Sequence, residues 1–213
     1  MFCIHKMIKP REIKAIACSG GMDSMVLLYF LTRNHKLDVL FFHHGTKTSD
    51  EAYEFLKEYC GKNKLNFIVE FINVQPEKGC SLEAFWREHR YAFLNNYNGT
   101  VATAHHLNDA IETWLFTSIH GNPRLIPVIN KNVVRPFIMV PKDEIRNYAL
   151  RHQVPYVEDL SNYDVRHPRN RIRHKIIPEI LLINPGINKV IRKKYFAMAY
   201  CDQIPNDNLG IKG

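Results

Sequence analysis

A glycine-rich loop near the amino terminus is the first feature of the sequence that could carry chemistry. It consists of Ser19, Gly20, Gly21, Met22, Asp23 and Ser24, and it follows an apolar run at residues 13–18. Two glycines allow a tight turn and a close approach of the backbone to a ligand, and the free amides of the next helix favour phosphate. Asp23 would repel phosphate, so we expect Mg²⁺ to lie between that carboxylate and the phosphate.

The same six residues exclude one common class of phosphate loop. They lack the lysine of the GxxxxGK[ST] pattern, so the loop is not of the Walker type. The structural alternative is an ordinary glycine turn followed by a capping residue. That alternative explains the glycine pair, but it does not account for all six residues.

A second cluster combines histidines and carboxylates in the sequence HHLNDAIET at residues 105–113. Asp109 and Glu112 are three positions apart, so they are neighbours on a helix. Neighbouring carboxylates repel each other unless a cation lies between them, and a lysine ammonium or Mg²⁺ would fit. The structural alternative is that Asn108 caps the helix and the acids favour its positive end.

Basic residues recur at helical spacing in two further places. Arg87 and Arg90 share one helix face, where they could hold phosphates or form surface ion pairs with neighbouring glutamates. Arg169 and Arg173 are one helical turn apart and form a basic stripe. Residues 165–194 hold nine Lys/Arg and one acid, and so carry the whole net charge of +8. A charge concentrated in this way indicates a polyanionic partner, the alternative being a solvated basic face.

Composition excludes several classes of protein. The 213 residues are 46% hydrophobic and 23% charged, as in a soluble globular protein. No apolar run approaches the roughly 18 residues of a membrane span, and the charged opening is not a secretory signal. Five cysteines without CxxC spacing favour reduced thiols and disfavour a zinc ion or an iron–sulfur cluster. We expect a cytoplasmic protein with no membrane partner, and the sequence indicates no oligomeric state.

Alternating strands and helices must position these groups. We predict strands at residues 13–18, 38–43, 66–72 and 100–105, each followed by a helix, with Thr48 and Ser81 as helix caps, a hairpin turn at Asn130-Lys131, and Pro141 opening a further helix. This alternation predicts an α/β fold, a Rossmann-like parallel sheet with flanking helices, followed by a helical basic extension. Ligands of such sheets bind at the carboxyl ends of the strands, where the motifs lie.

The SGGMDS loop resembles the signature of the PP-loop ATP pyrophosphatases, which cleave ATP between its α and β phosphates and transfer AMP to a substrate oxygen. The later motifs resemble those of one branch, the tRNA(Ile)-lysidine synthetases. They are His44-Gly45, Arg87/Arg90-Tyr91, HHxxDxxET at residues 105–113, and a block that runs from Asp159, Ser161, Asn162 and Asp164 through Arg169, Asn170, Ile172 and Arg173 to Pro178. Departures from the family pattern occur at His43, Trp86, Asn108, Ala110, Thr117 and His120. The resemblance covers about residues 13–195 and implies a PP-loop ATPase or adenine nucleotide α-hydrolase-like fold.

The resemblance also implies a reaction. ATP adenylates the oxygen on carbon 2 of the wobble cytidine in tRNA(Ile) with a CAU anticodon, and the ε-amine of free L-lysine then attacks that carbon and displaces AMP. The implied catalytic residues are Asp23, Arg87, His105, Asp109 and Glu112, with Asp23 also the Mg²⁺ ligand. The implied nucleotide-binding residues are the SGGMDS loop and His44. The implied tRNA-binding residues are Arg90, Arg169, Asn170, Arg173 and Lys175.

The predicted organisation is a PP-loop ATPase core over residues 1–140 and a helical basic extension of the same catalytic domain over residues 141–213, without the family's carboxyl-terminal tRNA-binding domains. Three other functions stay open. A tRNA thiolase is disfavoured by the cysteine spacing, and a small-molecule synthetase would not need the basic segment. The departures from the family pattern favour the third alternative, a non-catalytic RNA-binding protein that keeps the fold. The intact Asp23, Asp109 and Glu112 count against it.

Overall fold

A computed structural model describes residues 2–201 of the protein, apart from residues 3, 6, 75, 77, 78, 80 and 159–163. Within these residues the strands are β1 (Ile13–Ala17), β2 (Asp38–His43), β3 (Phe67–Phe71), β4 (Thr100–Ala102), β5 (Ile129–Asn130) and β6 (Val133–Val134). They form one sheet in the order β3-β2-β1-β4-β6-β5. Every neighbouring pair is parallel except β5 and β6, which form a hairpin. The predicted α/β fold with a mainly parallel sheet is therefore confirmed.

Helices connect the strands and form the carboxyl-terminal part of the described chain. They are α1 (Met22–Thr32), α2 (Lys47–Asn63), α3 (Leu82–Asn96), α4 (Leu107–Ile119), α5 (Lys142–His152), α6 (Pro168–Arg171), α7 (Ile177–Ile183) and α8 (Ile187–Cys201). A π-helical turn, Ile172–Ile176, joins α6 to α7. Pro178 lies in the first turn of α7, where a missing amide proton costs little, and Pro185 separates α7 from α8.

The sheet order creates a crevice at the carboxyl end of β1. The chain passes from β1 to β2 and β3 on one side, and later places β4 on the other side of β1. Because the chain continues from β1 toward one edge of the sheet and from β4 toward the other, a gap opens between the loops that follow these two strands. Ligands of such sheets bind in that gap. The SGGMDS motif begins in the first of these loops and runs into α1, and HHLNDAIET begins in the second and runs into α4.

Three apolar clusters form the core of the described residues, and two of them hold the helices around the crevice. In the first, α1 is buried along almost its whole length and packs on the sheet and on Ile145 and Ala149 of α5. In the second, Leu107 and Ile111 of α4 pack on Ile172 and on Tyr195 of α8. The basic segment is thus anchored on α4 by apolar contacts. The predicted boundary at residue 140 stays a prediction.

The helix caps and the hairpin turn were predicted from local sequence signals, and each lies within two residues of its predicted position. Ser81 caps α3 as predicted, accepting from the amide of Ala84 at 3.4 Å. The cap of α2 is Thr46, which accepts from the amide of Ser49 at 3.2 Å, so the prediction of Thr48 is wrong. The hairpin turn lies one residue later than predicted, at Lys131-Asn132.

Candidate active site

The loop after β1 is a compact turn organised by Ser24. The Ser24 hydroxyl donates to the carbonyl of Gly21 at 2.8 Å and accepts from the amide of Ser19 at 3.2 Å. Gly20 has a φ of +80°, which glycine adopts without strain. The first turn of α1, which begins at Met22, has no side-chain cap, so its amides are open to an anion. Ser24 is buried and supports the loop, whereas Ser19 is exposed.

Asp23 lies where α1, α4 and α5 meet. Both of its carboxylate oxygens accept from Nζ of Lys142, at 2.6 Å each, and Nε2 of His106 lies 3.7 Å from Oδ2. Burial alone would raise the pKa of Asp23, but His106 and the Lys142 ammonium outweigh burial and hold that pKa at about 2. Asp23 is therefore ionised at neutral pH.

Lys142 is a site residue that the sequence analysis missed. It is the first residue of α5, and its backbone amide donates to Oδ1 of Asn108 at 2.9 Å. Asn108 thus joins α4 to α5 and does not cap α4, so that part of the structural alternative is wrong, whereas Asp109 does lie in the first turn of α4. A signal for Lys142 existed in the sequence, because a cation in the first turn of a helix opposes the helix dipole.

His106 provides the cap of α4. Its Nδ1 accepts from the amide of Asp109 at 3.4 Å, and Oδ2 of Asp109 accepts from the amide of His106 at 2.9 Å. Because Nδ1 accepts, Nε2 is the ring nitrogen left to donate, and it faces Asp23. One side chain therefore links the loop after β1 to the start of α4.

Arg173 is the cation between the carboxylates of α4. Its Nη2 lies 2.8 Å from Oε2 of Glu112 and 3.4 Å from Oδ1 of Asp109, and its Nε donates to Oε2 at 3.0 Å. Nη1 of Arg169 donates to Oε1 of Glu112 at 3.3 Å. The sequence predicted a cation at this place as a lysine ammonium or Mg²⁺, and in the described structure a guanidinium group of the protein lies there.

Glu112 is the most enclosed carboxylate of the site. Its side chain is 5% exposed. Burial raises its pKa above the ordinary value for glutamate, and the neighbouring arginines oppose this effect without cancelling it. A carboxylate with a raised pKa is suited to accept a proton from an amine near neutral pH.

His105 lies beside a group of arginines. Its Nδ1 is 3.0 Å from Oγ1 of Thr103. Burial lowers its pKa to about 3, against the charge of Asp109 and with further lowering by the positive charges of Arg135, Arg90 and Arg87. The His105 ring is therefore neutral at physiological pH.

Arg135 is the second site residue that the sequence analysis missed. It is 1% exposed, and it donates from Nη2 to the hydroxyl of Tyr91 at 2.9 Å and from Nη1 to the carbonyl of Pro127 at 2.8 Å. In the described part of the chain no carboxylate pairs with it. An arginine within the apolar run NVVRPFIMV was the available signal, because a buried charge requires dedicated partners.

The two histidines at the carboxyl end of β2 have different environments. The His44 ring packs 5.1 Å from the Trp86 ring, and burial, with Arg90 and His43, lowers its pKa to about 4. The His43 ring is buried, accepts from the amide of Gly45 at 3.1 Å and lies 3.1 Å from Asp50. His43 therefore shapes the turn, and His44 faces α3.

The predicted tRNA-binding residues are not all free on the surface. Arg169 and Arg173 face the carboxylates of α4 as described, and Asn170 donates to the carbonyl of Asp164 at 3.0 Å. Arg90 lies over the Tyr91 ring at 5.7 Å, beside Arg87, predicted as catalytic, at 4.9 Å from the same ring, and Lys175 is exposed. The predicted residues Asp159, Ser161 and Asn162 lie outside the described residues.

The described residues contain no group of three or more His, Cys, Asp or Glu side chains that could hold a metal ion. None of their helices is long and apolar enough to cross a membrane.

One known protein family matches most of this chain. The PP-loop domain family matches residues 3–180 of the chain. The chain belongs to the PP-loop domain family. The SGGMDS loop lies within the matched region, at the crevice between β1 and β4.

Curated relatives of this PP-loop protein have consistent names. A tRNA(Ile)-lysidine synthase of Lactiplantibacillus plantarum is 33% identical over 205 residues, which are 86% of this chain and 45% of the relative. A tRNA(Ile)-lysidine synthase of Neisseria meningitidis serogroup B is 37% identical over 183 residues, which are 78% of this chain and 42% of the relative. The chain spans about half the length of the curated relatives it matches.

A solved structure supports the fold. The NH3-dependent NAD synthetase of Campylobacter jejuni superposes with a TM-score of 0.51 at 16% sequence identity, covering 93% of this chain and 90% of that one. The two proteins share a fold, and this likeness shows nothing more.

Proposed function

We propose that this PP-loop protein uses ATP to adenylate the wobble cytidine of tRNA(Ile) with a CAU anticodon, and then joins free L-lysine to carbon 2 of that base. One observation carries the proposal: a continuous line of contacts joins Asp23, through His106, to Asp109, Glu112 and Arg173. This line connects the loop after β1 to one half-buried and one buried carboxylate, a pair suited to an amine. Relatives that are 33% and 37% identical and named tRNA(Ile)-lysidine synthase support the same conclusion.

The first step is adenylation at the loop after β1. The open amides of α1 hold the phosphates of ATP, and we assign the contact with its base to His44. The oxygen on carbon 2 of cytidine attacks the α-phosphorus, and pyrophosphate leaves with the electron pair of the broken bond. His105, which is neutral, contacts the activated base, and Arg87 holds phosphate beside it. The cytidine must leave its stack, which a single-stranded anticodon loop permits at modest cost.

The second step is attack by lysine. Asp109 and Glu112 receive the lysine ammonium, and Glu112, with its raised pKa, takes the proton that the amine loses. The freed amine attacks carbon 2, the bond from carbon 2 to the adenylated oxygen breaks, and AMP leaves with that oxygen and the electron pair. Because the Arg173 guanidinium lies between the two carboxylates, it must move when the ammonium enters.

Magnesium fits Asp23 by its chemistry. Mg²⁺ in nucleotide sites is held through one or two carboxylates together with phosphates and waters, and Asp23 is an ionised carboxylate beside the open amides of α1. When bound, the metal would neutralise charge on the phosphates. Asp23 is the residue that would hold it.

The tRNA is held by the basic residues around the crevice. We assign this role to Arg90, Arg169, Asn170, Arg173 and Lys175, which lie on α3, α6 and the π-helical turn. Arg169 and Arg173 can contact RNA phosphate only by exchanging their carboxylate partners for it. A cytoplasmic location belongs to the same proposal, since tRNA takes part in translation there.

One assay tests the proposal. Purified protein is incubated with unmodified CAU tRNA, ATP, Mg²⁺ and labelled lysine, beside the variants Asp23→Ala and Asp143→Ala. We expect ATP-dependent incorporation that Asp23→Ala abolishes and that Asp143→Ala, which removes an exposed acid of α5, leaves unchanged. Binding of tRNA without incorporation would instead favour a non-catalytic RNA-binding protein. Release of AMP without any RNA would favour a small-molecule synthetase.

A further inference from the structure

We propose that Lys142 is the phosphate-binding cation of this site: it leaves Asp23 when ATP binds, and its ammonium then stabilises the negative charge of the departing pyrophosphate. The inference rests on the ATP binding of the proposed function. It assigns a role to a residue that no motif of the sequence marks.

The position of Lys142 is set by the protein and not by the ligand. Its backbone amide is held by Oδ1 of Asn108 at 2.9 Å, so the start of α5 is fixed against the start of α4. The side chain then reaches across the crevice to Asp23. It is 33% exposed, so the ammonium is open to a ligand that enters the crevice.

The charge balance explains why the ammonium would change partner. The SGGMDS loop has no lysine, although loops that bind the β and γ phosphates commonly include one. Here α5 supplies it from 119 positions along the chain. Asp23 retains His106 as a second partner, whereas a triphosphate arriving beside Asp23 brings several uncompensated negative charges. The flexible four-carbon stem of lysine allows the ammonium to turn from one to the other.

The step that Lys142 assists involves no proton transfer. A bond forms between the substrate oxygen and the α-phosphorus, and the bond from the α-phosphorus to the bridging oxygen of pyrophosphate breaks. The electron pair stays on pyrophosphate, whose new charge the ammonium stabilises while remaining protonated. Once its ammonium binds the pyrophosphate, Lys142 no longer donates to either carboxylate oxygen of Asp23.

A purely structural role is the rival explanation, and a double variant separates the two. If Lys142 serves only to neutralise Asp23, its loss has no effect once Asp23 is replaced by a neutral residue. If it binds phosphate, its loss weakens ATP binding in both backgrounds. In the Asp23→Asn background, the loss of Lys142 leaves no carboxylate at position 23 without a cation. We therefore expect the double variant to fold.

The experiment is calorimetric titration of ATP into the full chain, in EDTA and again with MgCl₂. The proteins are the wild type, Lys142→Met, Asp23→Asn, the double variant, Lys142→Arg, and the matched control Arg146→Met, which removes an exposed charge one turn further along α5. We expect Lys142→Met to weaken ATP binding roughly tenfold to hundredfold, as for a lost charge-assisted hydrogen bond, in both backgrounds. Lys142→Arg should recover most of the affinity, and Arg146→Met should stay within about twofold of the wild type, as an exposed charge does.

Each result decides between named explanations. Equal ATP affinities for Asp23→Asn and the double variant in EDTA would overturn the role of Lys142. If the wild type also binds ATP and forms lysidine, the proposed function survives that outcome. A wild type that binds no ATP with or without Mg²⁺ would overturn both the inference and the proposed function. Circular dichroism melting of each variant confirms that folded proteins are compared.

Discussion

Arg173 and Glu112 join the carboxyl-terminal basic segment to the helix that follows β4. Nε and Nη2 of Arg173 lie 3.0 and 2.8 Å from the same Oε2 of Glu112. These residues are 61 positions apart, and each belongs to a different predicted function, RNA binding for one and amine binding for the other. In the structure each satisfies the charge of the other, so the site is complete only when the basic segment is packed on α4.

Removal of Arg173 should destabilise the protein. Arg173→Ala leaves a carboxylate that is 5% exposed without its main partner, although Arg169 remains nearby. Because Arg173 is itself part-exposed, we expect the free energy of unfolding to fall by about 2–3 kcal/mol, somewhat below the value for a fully buried pair. Urea denaturation at pH 7 measures the change.

The control for that experiment is Arg171→Ala, which removes an exposed arginine two positions away. It should change the free energy of unfolding by less than about 0.5 kcal/mol. The pair Arg173→Met with Glu112→Gln should recover part of the lost stability, because neither charge is then left alone. Equal losses for Arg171→Ala and Arg173→Ala would show that the contact with Glu112 contributes nothing.

Two histidines should make the protein less stable in mild acid. The folded-state pKa values of His44 and His105 are about 4 and about 3, below the ordinary value of 6.5. Between those values and 6.5 the unfolded chain binds protons that the folded chain excludes, so stability falls as pH drops below about 6.5. The loss levels off once the folded state also binds the proton. Asp23 adds little between pH 7 and pH 5, since its folded-state pKa of about 2 and its ordinary value of 3.8 both lie below that range.

The measurement is the urea midpoint at pH 7 and pH 5 for the wild type, His44→Gln and the exposed control His120→Gln. We expect His44→Gln to lose less stability than the wild type between the two pH values, and His120→Gln to follow the wild type. A steeper fall for His44→Gln would contradict a folded state that excludes the proton from His44.

The elements that sequence patterns predicted well are those whose signals are local. β2 was predicted at its observed bounds, and the Ser81 cap was correct, because apolar runs and capping side chains act within a few residues. Lys142 and Arg135 were missed because their partners are 119 and 44 positions away. Contacts of that kind arise only when the sheet brings distant loops to one edge, and no spacing in the sequence encodes them.

Arg135 should not tolerate replacement by lysine. Its guanidinium donates to Tyr91 on α3 and to the carbonyl of Pro127 from two different nitrogens, and a single ammonium cannot match that fork in a site that is 1% exposed. We expect Arg135→Lys to lower the free energy of unfolding by about 2 kcal/mol, since one buried acceptor loses its donor. The exposed change Arg11→Lys should leave unfolding unaltered in the same denaturation series. An unaltered Arg135→Lys would mean that the fork geometry is dispensable.

Lys175 should carry an RNA contact that is purely electrostatic. It is exposed and, unlike Arg173, has no ion-pair partner among the described residues, so it can meet a phosphate without breaking a contact. Lys175→Ala should weaken tRNA binding and reduce the slope of log affinity against log salt by about one, the effect of one lost phosphate contact. Fluorescence anisotropy with labelled CAU tRNA at several salt concentrations measures both quantities. Lys62→Ala, an exposed lysine paired with Glu58 on α2, is the control and should leave the slope unchanged. An identical slope for Lys175→Ala and the wild type would remove Lys175 from the RNA-binding surface.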